Sequence, residues 1–328
     1  MLFLCVKNPD DYLIYFALTC AITVVNGIVN CYYAKEFVSL DLKNLQLKKH
    51  LKAISTIGLY MILSSMYTTF NVAYLGIVTN NQSVGYYTTS LKLYSIILGV
   101  FTALNAVLVP RLSSLIANDN SHAFSELINK SILFVATFCF PVIMCGMVLA
   151  PQIINILTGG GYDGAIICFR IIMPLIFIVG LAQILSNQIL MSLKKDRELA
   201  ITSFVGAAIG ISLNIWLVPL YREVGTSCVV LISEICVTSL LYFFCVKHAK
   251  VTLPIKSMLQ NFIMSIPYLL ICYVFTAVLS NNILILMLSG LSALVYFVLS
   301  QCFIIKNTLI LDQLNNVTQR LGFNKTTH

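Results

Sequence analysis

Long apolar runs recur along the chain, broken by short polar segments. Nine of them approach the roughly 20 residues that cross a bilayer. Their limits are about 12–33, 52–78, 84–109, 130–150, 164–190, 199–218, 225–246, 258–280 and 283–305. The pattern predicts an all-α, polytopic membrane protein of about nine transmembrane helices. In hydrocarbon each backbone polar group must be satisfied within its own segment, and helices do this.

Composition supports the same class. The chain is 59% hydrophobic and 10% charged, with a mean hydropathy of +0.92. Soluble domains carry roughly 25% charged residues. The eleven cysteines sit singly, mostly inside apolar segments, with no CxxC pair. They read as small buried apolar residues.

The formal charge of +8 sets topology before anything else. Sixteen of the twenty basic residues fall in 34–52, 110–130, 191–198, 247–257 and the tail from 306. The alternating segments 79–83, 151–163, 219–224 and 281–282 hold only Arg222. Positive-inside counting makes the first set cytoplasmic, and with it the C-terminus. Nine spans counted back then place the N-terminus outside. Met1–Val6 is apolar, but Lys7-Asn8-Pro9-Asp10-Asp11 follows at once and no cleavage site is visible. Met1–Val6 is therefore expected to be the last turn of an earlier span, so that the chain lacks its front.

Catalytic motifs do not assemble. The four histidines lie in loops and the tail, and there is no Walker-type loop and no GxGxxG after a strand. "TGGGYDG", Thr158 to Gly164, reads as a flexible turn between helices.

Charges inside spans carry the functional signal, because they usually face a cavity or a partner. Lys92 lies eight residues past Val84, roughly 12 Å below the outer end of its span. Arg170 lies at comparable depth in the fifth span, and Glu234 near the middle of the seventh. Thr88, Lys92, Ser95, Gly99 and Thr102 share one helical face; Leu93, Ile97, Val100 and Leu104 share the other. Polar stripes also appear at Asn26 and Asn30, at Thr68 and Asn71, and around Glu234. Four such spans are expected to surround a hydrated cavity. Other readings stay open: Lys92 snorkelling outward, Arg170 pairing with Asp163, Glu234 pairing with a cation, and hydroxyls bonding their own helix. Pro141 and Pro174 are expected to kink their spans. Two fixed cations, Lys92 and Arg170, would attract a phosphate or pyrophosphate. Glu234 would bind a coupling H+ or Na+, or balance charge. No other cofactor and no metal site is expected. The physical reading is a secondary transporter of an anionic substrate, not an enzyme.

Two stretches carry a family likeness: "YLGIVTNNQSVGYYTTSLKLYSIILGVFTALNAVLVPRLSSL" from Tyr74 and "NIWLVPLYREVGTSCVVLISEICVTSLLYF" from Asn214. The elements are Leu75-Gly76, Val84-Gly85-Tyr86-Tyr87, Pro110-Arg111-Leu112, Asn214 with Pro219, and Gly225-Thr226. They resemble the polysaccharide flippases of the multidrug/oligosaccharidyl-lipid/polysaccharide exporter superfamily, specifically the O-antigen type. The resemblance covers about residues 1–250. It implies two six-helix lobes facing each other, followed by two extra helices. On that mapping 1–33 ends the first lobe, 34–51 is a cytoplasmic inter-lobe loop, 52–246 is the second lobe, 247–305 holds two additional helices, and 306–328 is a cytoplasmic tail. The implied activity moves undecaprenyl-pyrophosphate-linked repeat units across the bacterial inner membrane by alternating access. Implied partners are the lipid-linked oligosaccharide, membrane lipids, and a polysaccharide polymerase with its chain-length regulator; nucleic acid is not among them. The family often places an acid near Asn71, and here the residue is an amide.

Three alternatives arise from the same residues. A cation-coupled drug exporter would need acidic cavity residues. A membrane polysaccharide polymerase would need a long basic outer loop. A truncated fragment would have no activity of its own. Sequencing upstream of Met1 is expected to reveal an in-frame continuation encoding further spans; a stop codon and a start signal at Met1 would exclude it.

Overall fold

The computed structural model describes residues 12–36, 47–118, 120–249 and 251–305. Every element among them is helical. The chain divides into two compact units, residues 1–53 and 54–328.

In the first unit, α1 spans Tyr12–Ala34. Leu13, Phe16, Ile22, Val25 and Ile28 are all more than half exposed. A helix apolar all round is suited to lipid or to a partner helix rather than to water. Thr23 donates its hydroxyl to the Thr19 carbonyl at 3.0 Å, which lowers the cost of a hydroxyl in hydrocarbon.

The second unit begins within α2, Leu47–Val78. Then come α3 (Asn81–Ala117) and α4 (Ser121–Thr158). Asparagines start both: the Asn80 side chain accepts from the Ser83 N–H at 2.9 Å, and that of Asn120 from the Ala123 N–H at 3.1 Å. Such caps satisfy an amide that the helix leaves open. The left-handed Gly159, φ 75°, ends α4.

The fifth expected span is broken. α5 (Asp163–Ile172) and α6 (Leu175–Gln183) meet at Met173-Pro174, where the combined span bends by 41°. Proline removes a ladder hydrogen bond and crowds the preceding turn. α6 then widens into a π-helical segment, Ile184–Met191.

α7 runs from Asp196 to Ala249, but Arg222 is non-helical, φ 50° and ψ −127°. The break makes a hairpin: the Glu198 carboxylate meets His248 Nε2 at 2.9 Å. A straight helix would hold residues 50 positions apart about 75 Å from each other. The two halves correspond to the expected spans 199–218 and 225–246. Next follow α8 (Ile255–Ser265), α9 (Pro267–Val278), α10 (Asn282–Leu299) and a π-helical end, Ser300–Ile305. Length and apolarity give six candidate spans among the described residues, or seven if the bent α5–α6 pair counts as one. That count takes α7 once, and in α2 it finds only the short apolar stretch Thr69–Val78. The basic start of α2, with Lys48, Lys49 and Lys52, separates it from the other spans.

Side-chain bonds fix the directions of packing. Ser90, Asn105 and Ser113 of α3 meet Ala165, Gln183 and Ser192 in the same order, so α3 runs parallel to α5–α6. Cys139 meets Ile176 while Met147 meets Arg170, so α4 runs antiparallel to both. Tyr87, Phe101, Ile132, Phe169, Met173 and Leu241 form the core between these helices. Leu149, Cys272 and Ile285 join α4 to α9 and α10.

At the α7 turn the two halves come close. A Cβ on Gly225 would lie 2.5 Å from the Leu217 carbonyl oxygen, a backbone atom that cannot swing away. Gly225→Ala is expected to destabilise the lobe by about 1–3 kcal/mol, read as a lower midpoint of thermal unfolding in detergent. Gly99→Ala, where a Cβ meets nothing within 4 Å, should not lower it.

Candidate functional site

The hydrophobic pattern of α3 leaves its rotation open, and packing resolves it. Tyr87, Ser90, Tyr94, Phe101 and Asn105 turn inward. Lys92, Ser95 and Gly99 turn outward, beside Ile96 at 73% and Val100 at 64% exposure. The expected apolar face is divided: Leu93 and Ile97 pack against the core and Val100 is outside, while Ser90 and Asn105 are inside. The buried polar side chains have partners there. The Ser90 hydroxyl lies 2.9 Å from the Ala165 carbonyl, and Asn105 donates to Gln183.

Arg170 is exposed on α5, and its Nε–H donates to the Met147 carbonyl of α4 at 3.0 Å. That bond fixes the base of the guanidinium and leaves the rest of its donor fork available. Among the described residues no ion pair joins it to Asp163, which instead opens the first turn of α5. The Ser90–Ala165 contact sets α3 and α5 in register. Lys92 lies two residues past it and Arg170 five, about 3 Å and 7–8 Å further in the same direction. Two exposed cations thus stand within about 5 Å in height on parallel, packed helices.

Glu234 is placed elsewhere. It is 6% exposed and lies in a cavity of about 230 Å³ between α2, the α6–π junction and both halves of α7. Tyr60, Ser64, Ser186, Asn187, Thr202 and Ser203 line it with oxygen and amide groups. Neither Lys92 nor Arg170 borders it. Expected as parts of one hydrated cavity, the charges are instead separated, with Lys92 and Arg170 exposed on α3 and α5 and Glu234 buried in a polar cavity. Rotation of each helix about its axis separates them.

The other expected polar positions are distributed. Asn71 is buried and its Oδ1 accepts from Asn214 Nδ2. Thr88 is half-buried and donates to the Val84 carbonyl at 2.7 Å. Ser95 is exposed and donates to the Leu91 carbonyl at 2.7 Å. Asn26 and Asn30, bonded to each other at 3.3 Å, lie on the exposed α1 of the first unit. The side chain of Thr68 lies outside the described residues. Bonds of hydroxyls to their own helix, as at Thr88 and Ser95, need no cavity to explain them.

Sequence reasoning missed an amide network between α3 and α6. Gln183 Oε1 accepts from Asn105 Nδ2 at 2.8 Å, and Gln183 Nε2 donates to Thr102 Oγ1 at 3.1 Å. Gln188 Nε2 donates to Asn105 Oδ1. The signal was present, since three carboxamides inside two apolar runs are costly unless paired. Their pairing across some 80 positions of sequence was not. A second cavity, about 350 Å³, is apolar and lies between α3, α4, α5, α9 and α10, with Phe138, Phe169, Met173 and Phe297 among its walls.

Comparison with known proteins bears on this arrangement. The model of a family described as "Polysaccharide biosynthesis protein" matches residues 13–167. An Escherichia coli (strain K12) protein, provisionally named an O-antigen transporter, is 26% identical over 180 residues, 55% of this chain and 43% of that protein. The structure of lipid II flippase MurJ in an inward closed conformation matches with a TM-score of 0.65 at 19% identity, over 80% of this chain and 57% of that one. The chain thus spans about half the length of the relatives it matches. The likeness to MurJ is one of fold, and the sequence likeness is to proteins of polysaccharide biosynthesis and transport. In sequence and in fold, the chain is thus similar to polysaccharide flippases of the multidrug/oligosaccharidyl-lipid/polysaccharide exporter superfamily.

Proposed function

We propose that this chain supplies the second lobe of a flippase that carries an undecaprenyl-pyrophosphate-linked O-antigen, or another polysaccharide repeat unit, from the cytoplasmic to the periplasmic face of the bacterial inner membrane. The carrying observation is that Lys92 and Arg170 are each exposed, at similar height, on parallel helices. Cations held on an open face suit a phosphate-bearing headgroup that must be bound and then released. The apolar cavity of about 350 Å³ suits part of a hydrocarbon chain, which the same substrate would bring. The sequence likeness to a protein provisionally named an O-antigen transporter supports the substrate class.

Movement would follow alternating access, with this lobe rocking as a body. Glu234, enclosed away from the cations, would take the coupling ion, H+ or Na+. The basic loops 191–198 and 247–257 would face the cytoplasm, with the C-terminus on the same side. A polymerase and chain-length regulator would receive the flipped unit.

In cells that rely on this protein for surface polysaccharide, Lys92→Ala and Arg170→Ala are each expected to cut export about 10- to 100-fold. That is the loss from removing one charge-assisted contact. Surface polysaccharide on gels, normalised to protein in the membrane, reads the effect, and Lys92→Arg should retain much of it. Unchanged export in both alanine variants would exclude the cationic face as the headgroup site.

A further inference from the structure

Gln183 touches two things at once. It borders the Glu234 cavity. It also holds α3 through Asn105 at 2.8 Å and Thr102 at 3.1 Å. Its position in the chain is equally particular, because the π-helical segment starts at the next residue. A π-helical stretch rotates the residues beyond it relative to an α-helix and recurs at functional sites. Here Ser186 and Asn187 turn to the cavity while Gln188 turns to Asn105. The α6–π junction is thus the wall between the acidic cavity and the helix that carries Lys92.

We propose that Gln183 is a positioning residue that transmits the occupancy of the Glu234 cavity, by a proton or a sodium ion, to α3. This rests on the reading of Glu234 as the coupling group. The physical basis is competition for one amide. Gln183 Nε2 donates to Thr102, and Gln183 also lines the cavity that holds the Glu234 carboxylate. Hydrogen bonds to an ionised acceptor are roughly twice as strong as neutral ones. With Glu234 ionised and no cation present, the carboxylate draws the Gln183 amide away from Thr102 and loosens α3. A proton or Na+ on Glu234 removes that pull, and Gln183 secures α3 again. The exposed face with Lys92 then differs between the two states.

The surroundings leave Glu234 as the group that responds. Among the described residues lining the cavity, α2 contributes one titratable side chain, Tyr60; the α6–π junction and the first half of α7 contribute none, and neither does the rest of Glu234's own half. Glu198 and His248 pair with each other beyond Thr202, whose hydroxyl donates to the Glu198 carbonyl at 2.8 Å.

Two measurements on the full chain in lipid nanodiscs test this. In the first, dicyclohexylcarbodiimide, which modifies protonated carboxyls in apolar sites, is applied across pH 5.5–9 in choline or sodium chloride, and Glu234 modification is read by mass spectrometry. Modification is expected to fall about tenfold per pH unit above its midpoint. Protection by sodium at fixed pH would identify Na+ as the occupant, and no sodium effect would identify the proton. Modification indifferent to both pH and sodium would overturn the coupling role of Glu234 itself.

In the second, hydrogen exchange of α3 peptides covering 99–106 is compared between the native chain and Glu234→Gln, at one pH above that midpoint. The native chain is expected to exchange about fivefold faster, the ratio given by one hydrogen bond of ordinary strength. Gln183→Leu, and independently Asn105→Leu, should erase the difference, and Gln183→Leu, which also removes a donor to the ionised carboxylate, should raise the carbodiimide midpoint. A merely structural Gln183 would loosen α3 equally with either residue at 234. A difference that persists in both leucine variants, or native and Glu234→Gln chains that exchange alike, overturns the proposal.

Discussion

A bent span in hydrocarbon exposes carbonyls that no water can reach, and the lobe is arranged around that constraint. Between Asp163 and Met191 the chain bends at Pro174 and widens past Gln183. Neighbours supply donors along this stretch. Cys139 of α4 approaches the Ile176 carbonyl at 3.7 Å. From α7, Thr238 reaches the Ile178 carbonyl at 3.4 Å and Cys245 the Leu185 carbonyl at 3.4 Å. The thiol bonds are weak, but they replace no bond at all. They also fix α4 and the second half of α7 against the irregular span. The cysteines, read as small apolar residues, therefore have a second use as donors.

The same constraint sorts the polar side chains. A group inside the lobe must be paired, and Asn71 with Asn214 and Asn105 with Gln183 are. Lys92 and the fork of Arg170 instead lie on exposed positions of α3 and α5. Glu234 stands between these cases, enclosed but in a polar cavity large enough to change occupant. Gln183 lies where the two parts of the lobe touch.

Much of the fold is legible in the order of residues alone. The apolar runs mark the helices to within a few residues at α1, and the Gly225 region marks the α7 turn. Charges are informative because each is costly in hydrocarbon and so marks itself. Rotation of the helices is not legible. In a soluble protein the apolar face of a helix points inward, but lipid tails are as apolar as leucine and do not distinguish the two sides. Val100 therefore shares the expected apolar face yet lies outside, while Ser90 and Asn105 lie inside. The expected hydrated cavity gathered residues that share polarity but not direction.

Class, helix placement and the identity of the three charges within spans were determined by the sequence itself. These depend on local composition and length, which hydrocarbon thickness and insertion cost read directly. Only tertiary structure decided which charge faces what. Lys92 and Arg170 came to similar height because Ser90 meets Ala165 across 75 positions of sequence. Glu234 acquired its cavity because α7 folds back at Arg222 and α6 widens after Gln183. Those contacts rest on the fit of particular side chains between helices, and a hydropathy pattern carries no record of that fit.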